Sequence, residues 1–291
     1  MVNASTQDIN RARSWSGGEQ LNTERCAESG KASPIGVFDA GIGSYAIVEK
    51  LRKSYPQQDL IYLADRKQFP YGKKNYRQLL DATLSASQFL LSEGCSAVVL
   101  ASNAPSIVVI QELKQQLPVP LLGVEPPLAE ACLVSVNQQV IVLGVESMVS
   151  SEAFSRFLDR ETVAGCSVSG INASSLVGLV EDFSFIHQPQ KTQQLVSDFI
   201  TAMLQAYPQT DVVTMSSTHL PWLKPYFTSA APQIAFLDPA DTLVSNIAPL
   251  VTTGRGVTRC IATESRQYPV HEFNIALASL NSGLVAELVS F

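Results

Sequence analysis

The sequence predicts an α/β protein of two pseudosymmetric domains, each built on a parallel sheet, with its site in the cleft between them. Three observations carry this expectation. From residue 34 onward, short apolar runs alternate with helical periodicities, the pattern of buried parallel strands joined by crossover helices. Two of these runs end alike: 97–101 gives way to Ser102, Asn103 and Pro105, and 211–215 gives way to Ser216, Ser217, Thr218, His219 and Pro221. A strand that turns polar at its tip delivers side chains to the carboxyl edge of a sheet, where α/β proteins place their ligands. The order of elements also recurs in the two halves, so two such edges are expected to face each other. The expected boundaries are 34–128 with 241–291 for the first domain and 129–240 for the second.

A chain of 291 residues is long enough for one large domain or two of moderate size. Its 46% hydrophobic and 16% charged residues are ordinary for a globular protein. A net charge of -6 without any basic run excludes a nucleic-acid partner. The longest apolar runs, such as 107–110 and 140–145, are too short to span a bilayer, and the N-terminus lacks the apolar core of a signal peptide. No membrane partner is expected. The five cysteines (Cys26, Cys95, Cys132, Cys166, Cys260) are irregularly spaced and form no C-x-x-C. They read as reduced thiols of a cytoplasmic protein rather than a disulfide or zinc framework, so no metal site is expected.

Residues 1–33 are rich in Ser, Gly, Asn, Gln and charge and show no apolar periodicity, which predicts a disordered N-terminal extension. The fold then opens with a strand over 35–38, followed by Asp39, Ala40 and a turn relieved by Gly41 and Gly43, then a helix over 45–53. This strand-turn-helix admits a dinucleotide reading, with Ala46 at the third glycine position and Asp65 as the ribose acid. Asp39 argues against it, because it sets a negative charge where a pyrophosphate would approach. A second strand over 59–63 leads to the loop 66–74, whose Phe69, Pro70, Tyr71 and Gly72 form a candidate ligand wall or a simple turn.

The spacing of Leu79, Leu80, Thr83, Leu84, Ser87, Leu90 and Leu91 predicts a helix over 76–93 that Gly94 terminates. After the strand 97–101 come a helix over 106–115, a strand over 118–123 and a helix over 128–135. The second half repeats the scheme: strands over 139–144, 168–171, 211–215 and 234–237, with helices over 148–158, 175–181, 191–207 and 240–248. A strand over 259–263 and a helix over 273–280 return to the first domain.

The stretches 35–43 around Asp39, Tyr62 to Asp65, Phe69 to Gly72, Val99 to Ser106, Gly123 and Val124 with Pro126, Leu179 to Glu181, Ser217 to Pro221, and Leu223 to Pro225 stand out together. As a set they resemble the glutamate racemases of the aspartate/glutamate racemase family. They lie in the family's order and cover most of 34–291. The resemblance implies a cofactor-independent amino-acid racemase that interconverts L- and D-glutamate for peptidoglycan. It further implies a homodimer and, as ligand, a small acidic amino acid or dicarboxylate held between two cysteines, one per domain. One thiolate removes the α-proton and the opposite thiol returns one to the other face.

By the same resemblance the catalytic positions are Ser102, Ser217, Asp39, His219 and Glu181, and the substrate-binding positions are Ala40, Pro70, Tyr71, Gly72, Asn103, Ala104 and Thr218. At Ser102 and Ser217 the family has its two cysteines, and at Ala40 and Ala104 it has Ser and Thr hydroxyls that contact substrate. These differences matter chemically. A thiol has an ordinary pKa of about 8.5 and can be brought into working range, whereas a serine hydroxyl is too weak an acid to serve as general acid or base near neutrality. Serine can act as a nucleophile if a base activates it, and Asp39, His219 or Glu181 are the available bases. Three functions follow: a racemase, a non-catalytic relative binding a small acid or a protein partner, and an enzyme with a serine nucleophile. Structural alternatives also stand. Asp39, Asn103 and Thr218 suit helix capping, His219 suits a buried carbonyl, and Tyr71 suits packing under its loop. His187 and His271 have no motif around them and read as structural or surface residues.

Overall fold

In the computed structural model, which describes residues 33–291, the first sheet is seeded by β1 (Ile35–Asp39). The extension expected over 1–33, and Cys26 within it, lies outside the described residues apart from Ser33. After β1 come α1 (Tyr45–Ser54), β2 (Leu60–Asp65), α2 (Tyr76–Ser92), β3 (Ala97–Leu100), α3 (Asn103–Val108), α4 (Ile110–Gln116) and β4 (Leu121–Gly123). α5 (Leu128–Val134) leads to the second sheet, formed by β5 (Gln139–Gly144), β6 (Ser167–Asn172), β7 (Val212–Met215) and β8 (Ala235–Leu237). Its helices are α6 (Glu146–Val149), α7 (Glu152–Glu161), α8 (Ser174–Glu181), α9 (Ser184–His187), α10 (Pro189–Ala206) and α11 (Lys224–Ala230). α12 (Pro239–Ile247) carries the chain back to β9 (Thr258–Thr263), α13 (Val270–Ser279) and the edge strand β10 (Glu287–Leu288), which rejoin the first sheet.

Every strand pair is parallel. The strand orders are β10-β9-β2-β1-β3-β4 and β6-β5-β7-β8. Removing β9 and β10 leaves the same order in both sheets, with β1, β2, β3 and β4 corresponding to β5, β6, β7 and β8. The pseudosymmetry expected from the sequence is therefore a matter of topology. In each sheet the order reverses beside the first strand, between β1 and β3 and between β5 and β7. Crevices at such reversal points are where open parallel sheets receive ligands.

Local chemistry accounts for the elements. β1, β3 and β7 are buried along their whole length, as a strand covered by helices on both faces must be. α2 starts with a capping box: the Asn75 side chain accepts from the Gln78 amide at 3.0 Å and the Gln78 side chain accepts from the Asn75 amide at 3.2 Å. It ends at Gly94, whose φ of +87° favours glycine. Buried Leu79, Leu80, Thr83, Ser87 and Leu90 face the sheet as their spacing predicts.

Two expectations shift. The helix expected over 106–115 begins instead at Asn103, since Pro105 is tolerated in a first turn where no amide partner is needed, and it breaks at Val109. The helix expected over 148–158 likewise divides into α6 and α7, the second capped by Ser151. β10 has only two residues, both exposed, and leaves no apolar run to read in the sequence.

Candidate ligand cleft

The carboxyl ends of β3 and β7 are built the same way. One residue beyond β3, the Ala101 amide donates to the Phe38 carbonyl at 2.8 Å; one residue beyond β7, the Ser216 amide donates to the Leu143 carbonyl at 2.7 Å. Each bond carries the ladder one step past the strand and fixes where the next residue emerges. Those next residues are Ser102 and Ser217. Both line a single cleft of about 120 Å3 between the two reversal points.

Of the residues expected at the site, Asp39, Ala40, Pro70, Tyr71, Gly72, Ser102, Asn103, Ala104, Ser217, Thr218 and His219 all line this cleft. Glu181 does not. It stands behind His219, where its Oε1 meets His219 Nε2 at 2.5 Å and accepts from the Ile42 amide at 3.2 Å. Gly41, Phe69 and Ser216, each read from the sequence as part of a turn, wall or strand tip, also line the cleft, as do Val145 and Val177, which were not singled out. Val145 was within reach of that reasoning, because it follows the tip of β5 as Ala40 follows that of β1. Arg66 was missed for a different reason: a basic residue in a polar loop reads as solvated. It is 7% exposed, with its guanidinium 4.7 Å above the Phe69 ring, its Nη1 3.2 Å from the Ala40 carbonyl and 3.9 Å from Glu181 Oε2.

The capping alternatives give way to other roles. Ser102 occupies the position before α3 but its hydroxyl makes no cap bond, which leaves it to the cleft. Asn103 sits in the first turn and donates through Nδ2 to the Val124 carbonyl at 2.9 Å. Ser106 accepts from the Val124 amide at 2.9 Å and donates to the Ser102 carbonyl at 2.7 Å, so α3 is tied to β4 from two sides. The residue preceding α1 is Ser44, not Asp39.

Gly41 and Gly43 serve a purpose other than the one read from the sequence. Neither has positive φ. A Cβ on Gly41 would lie 2.5 Å from Glu181 Oε1, and one on Gly43 would lie 2.9 Å from the His219 ring and from Thr218 Oγ1. The glycines make room for side chains of the second sheet's elements, which fill the space a pyrophosphate would need. Asp65 is also taken, by Thr263 and Tyr71. The dinucleotide alternative is thereby removed.

The electrostatics follow from this packing. Burial raises Asp39 from its ordinary 3.8 to about 6, against the Ala40 amide, the His219 charge and the Ser102 hydroxyl, all of which favour its anion. Burial opposes the charge on both Glu181 and His219, but each outweighs this for the other. Their hydrogen bond and opposite charges hold Glu181 below the usual carboxylate range and His219 above the usual imidazole range. In its protonated form, which the pair favours, His219 presents to Ser217 Oγ, 3.5 Å away, a donor at Nδ1 and not a base. The described cysteines Cys95, Cys132, Cys166 and Cys260 are not among the residues lining the cleft, and burial pushes the Cys95 and Cys260 thiols up to about 12.

Residues 44–247 match the family profile described as Asp/Glu/Hydantoin racemase. A protein named glutamate racemase from Cupriavidus pinatubonensis is 34% identical over 247 residues, covering 84% of this chain and 82% of its own length. Another from Ralstonia pickettii is 30% identical over 252 residues, covering 84% and 88%. The crystal structure of a glutamate racemase isoform from Bacillus anthracis superposes with a TM-score of 0.77 at 19% identity, covering 90% of this chain and 98% of that one, a likeness of fold. A profile that runs from α1 through α12, together with relatives matched over most of their length, establishes that the chain belongs to the aspartate/glutamate/hydantoin racemase family and is glutamate racemase-like within it.

Proposed function

We propose that the cleft binds a small acidic amino acid and does not racemise it by the two-thiol route. One observation carries the reading: the two side chains at the paired strand ends, where the family resemblance sets the proton-transferring thiols, are the hydroxyls of Ser102 and Ser217. Neither hydroxyl has a base able to convert it to the free alkoxide that taking an α-proton would require. His219 is paired with Glu181, which raises its pKa, and Asp39, at about 6, lies far below an alcohol. A serine nucleophile is disfavoured because neither serine has a complete relay: Asp39 stands beside Ser102 with no imidazole between them, and His219 Nδ1 is 3.5 Å from Ser217 Oγ. What the cleft retains is suited to reversible binding: a carboxyl, an imidazole whose pKa is raised, and the hydroxyls of Ser102, Ser217 and Thr218 against the Phe69–Pro70–Tyr71 wall.

The test is purified protein with L- and D-glutamate and with L- and D-aspartate in deuterated water. Calorimetry reads binding and proton NMR reads loss of the α-proton signal. Binding without exchange is expected. Exchange faster than in the S102A/S217A double variant would show that the hydroxyls do support proton transfer, and no heat with any of the four would remove the ligand class.

A further inference from the structure

We infer that Asp65 is the positioning residue of the cleft wall, setting the Phe69–Gly72 segment against the ligand through Tyr71 without touching the cleft itself. The inference deepens the ligand-binding reading and rests on it. Asp65 ends β2, is 1% exposed and is absent from the cleft lining. Each of its carboxylate oxygens is engaged. Tyr71 Oη donates to Oδ2 at 3.0 Å, and Thr263 Oγ1, from the end of the neighbouring strand β9, donates to Oδ1 at 2.8 Å. Thr263 Oγ1 in turn accepts from the Lys67 amide at 3.0 Å. One buried carboxylate therefore holds the loop at both ends, at Lys67 through Thr263 and at Tyr71 directly.

The loop's own bonds are short-range. The Lys73 amide donates to the Pro70 carbonyl at 3.2 Å and the Lys74 amide to the Tyr71 carbonyl at 3.1 Å. They shape a turn but do not anchor it to the sheet. Anchorage comes from Asp65, from Arg66, whose guanidinium donates to the Ala40 carbonyl at 3.2 Å, and from Phe69, whose ring meets Tyr268 edge-on at 4.8 Å. With its hydroxyl committed to Asp65, Tyr71 offers the cleft its ring and its backbone. An asparagine at 65 sets its oxygen against one hydroxyl and its NH2 against the other, so one buried hydroxyl proton loses its acceptor and the anchorage on that side is weakened.

The test compares D65N, Y71F and the double variant with the parent protein, and uses T263V where D65N fails to fold. Calorimetry with L- and D-glutamate is run below each variant's melting temperature, and amide hydrogen exchange of residues 66–74 is read without ligand. The expected result is an affinity loss of about tenfold in D65N and in Y71F, with the double variant no worse than D65N, and faster exchange at Lys67, Lys73 and Lys74. T263V should speed exchange at Lys67 most. Folded D65N that binds as the parent does and shows parental exchange across 66–74 would overturn the inference, since a stabilising role alone moves neither. If the parent binds neither enantiomer, the ligand reading fails on its own, and the exchange data still decide whether Asp65 holds the loop.

Discussion

Glu181 Oε1 stands 2.5 Å from His219 Nε2 and also accepts from the Ile42 amide, so one carboxylate joins the β7 strand end to the β1 turn. The bond decides the chemistry of the histidine. An imidazole that donates Nε2–H to a carboxylate and is held protonated offers the cleft a proton at Nδ1.

The pair has a defined pH signature. His219 is raised, so its contribution is full below the ordinary imidazole value of about 6.5 and is lost as pH rises through the raised folded value. Glu181 is lowered, so its contribution is present above the ordinary value of about 4.3 and is lost as pH falls through the lowered one. E181A should therefore cost about 3 kcal/mol between these limits and progressively less outside them. Thermal melts of E181A and the parent from pH 4 to 9 read the difference, and nitrogen NMR should show both His219 ring nitrogens protonated at pH 6, where a free imidazole has begun to lose its proton. A constant difference across the range would refute the ion pair.

Asp39 carries the sign opposite to that of Glu181. Its folded pKa of about 6 lies about two units above its ordinary 3.8, so the fold binds its proton more tightly than the unfolded chain does, and stability falls as pH rises between the two values. Two units correspond to about 3 kcal/mol. D39N should thus raise the melting temperature at pH 7.5 and give no gain at pH 3.5. Stability lost at both pH values would mean that the carboxylate is better solvated in the cleft than its burial implies.

How much of this the sequence disclosed depends on the kind of residue. Ser102 and Ser217 were legible because a parallel strand must end polar at its carboxyl tip, and the rest of the motif residues came with them. The strands were legible because covering both faces demands an apolar run, as in Val98, Val99 and Leu100. What escaped was settled by packing across the cleft. Arg66 is buried by aromatic rings from elsewhere in the chain, among them Tyr268 and Phe273, and no local pattern shows it. Glu181 was found by motif, but its place behind His219 depends on how α8 meets the β1 turn. Gly41 and Gly43 were legible as glycines and not as clearance, because the nearest atoms they clear belong to Glu181, Thr218 and His219, in the other half of the fold.

That clearance is testable by contrast. G41A would drive a methyl to 2.5 Å from Glu181 Oε1 and should break the pair with His219, whereas Gly178, in α8, has nothing within 4 Å of a built Cβ. G178A should stabilise by roughly 0.5–1 kcal/mol, as alanine does in a helix interior, and G41A should destabilise by roughly 1–3 kcal/mol. Denaturant melts of the two variants read the signs. G41A as stable as the parent, with the His219 resonances unchanged, would show that Glu181 is not held against the β1 turn.

Restoring the thiols gives the last prediction. The double variant S102C/S217C sets cysteines at both strand ends, with Asp39 beside one and His219 beside the other, and supplies groups whose pKa can reach working range. It should exchange the α-proton of glutamate where the parent does not, but only slowly. Ala40 and Ala104 lack the hydroxyls that the family resemblance sets against the substrate, and each missing bond to a charged group removes roughly 1.5–3 kcal/mol, about ten- to a hundredfold in rate if the bond tightens in the transition state. Adding A40S and A104T to the double variant should therefore raise exchange by roughly two to four orders of magnitude. Deuterium incorporation into L- and D-glutamate, followed by proton NMR, measures all three proteins. If the double variant is as fast as the one with all four changes, the binding shell has not diverged, and the serines alone separate this cleft from a racemase.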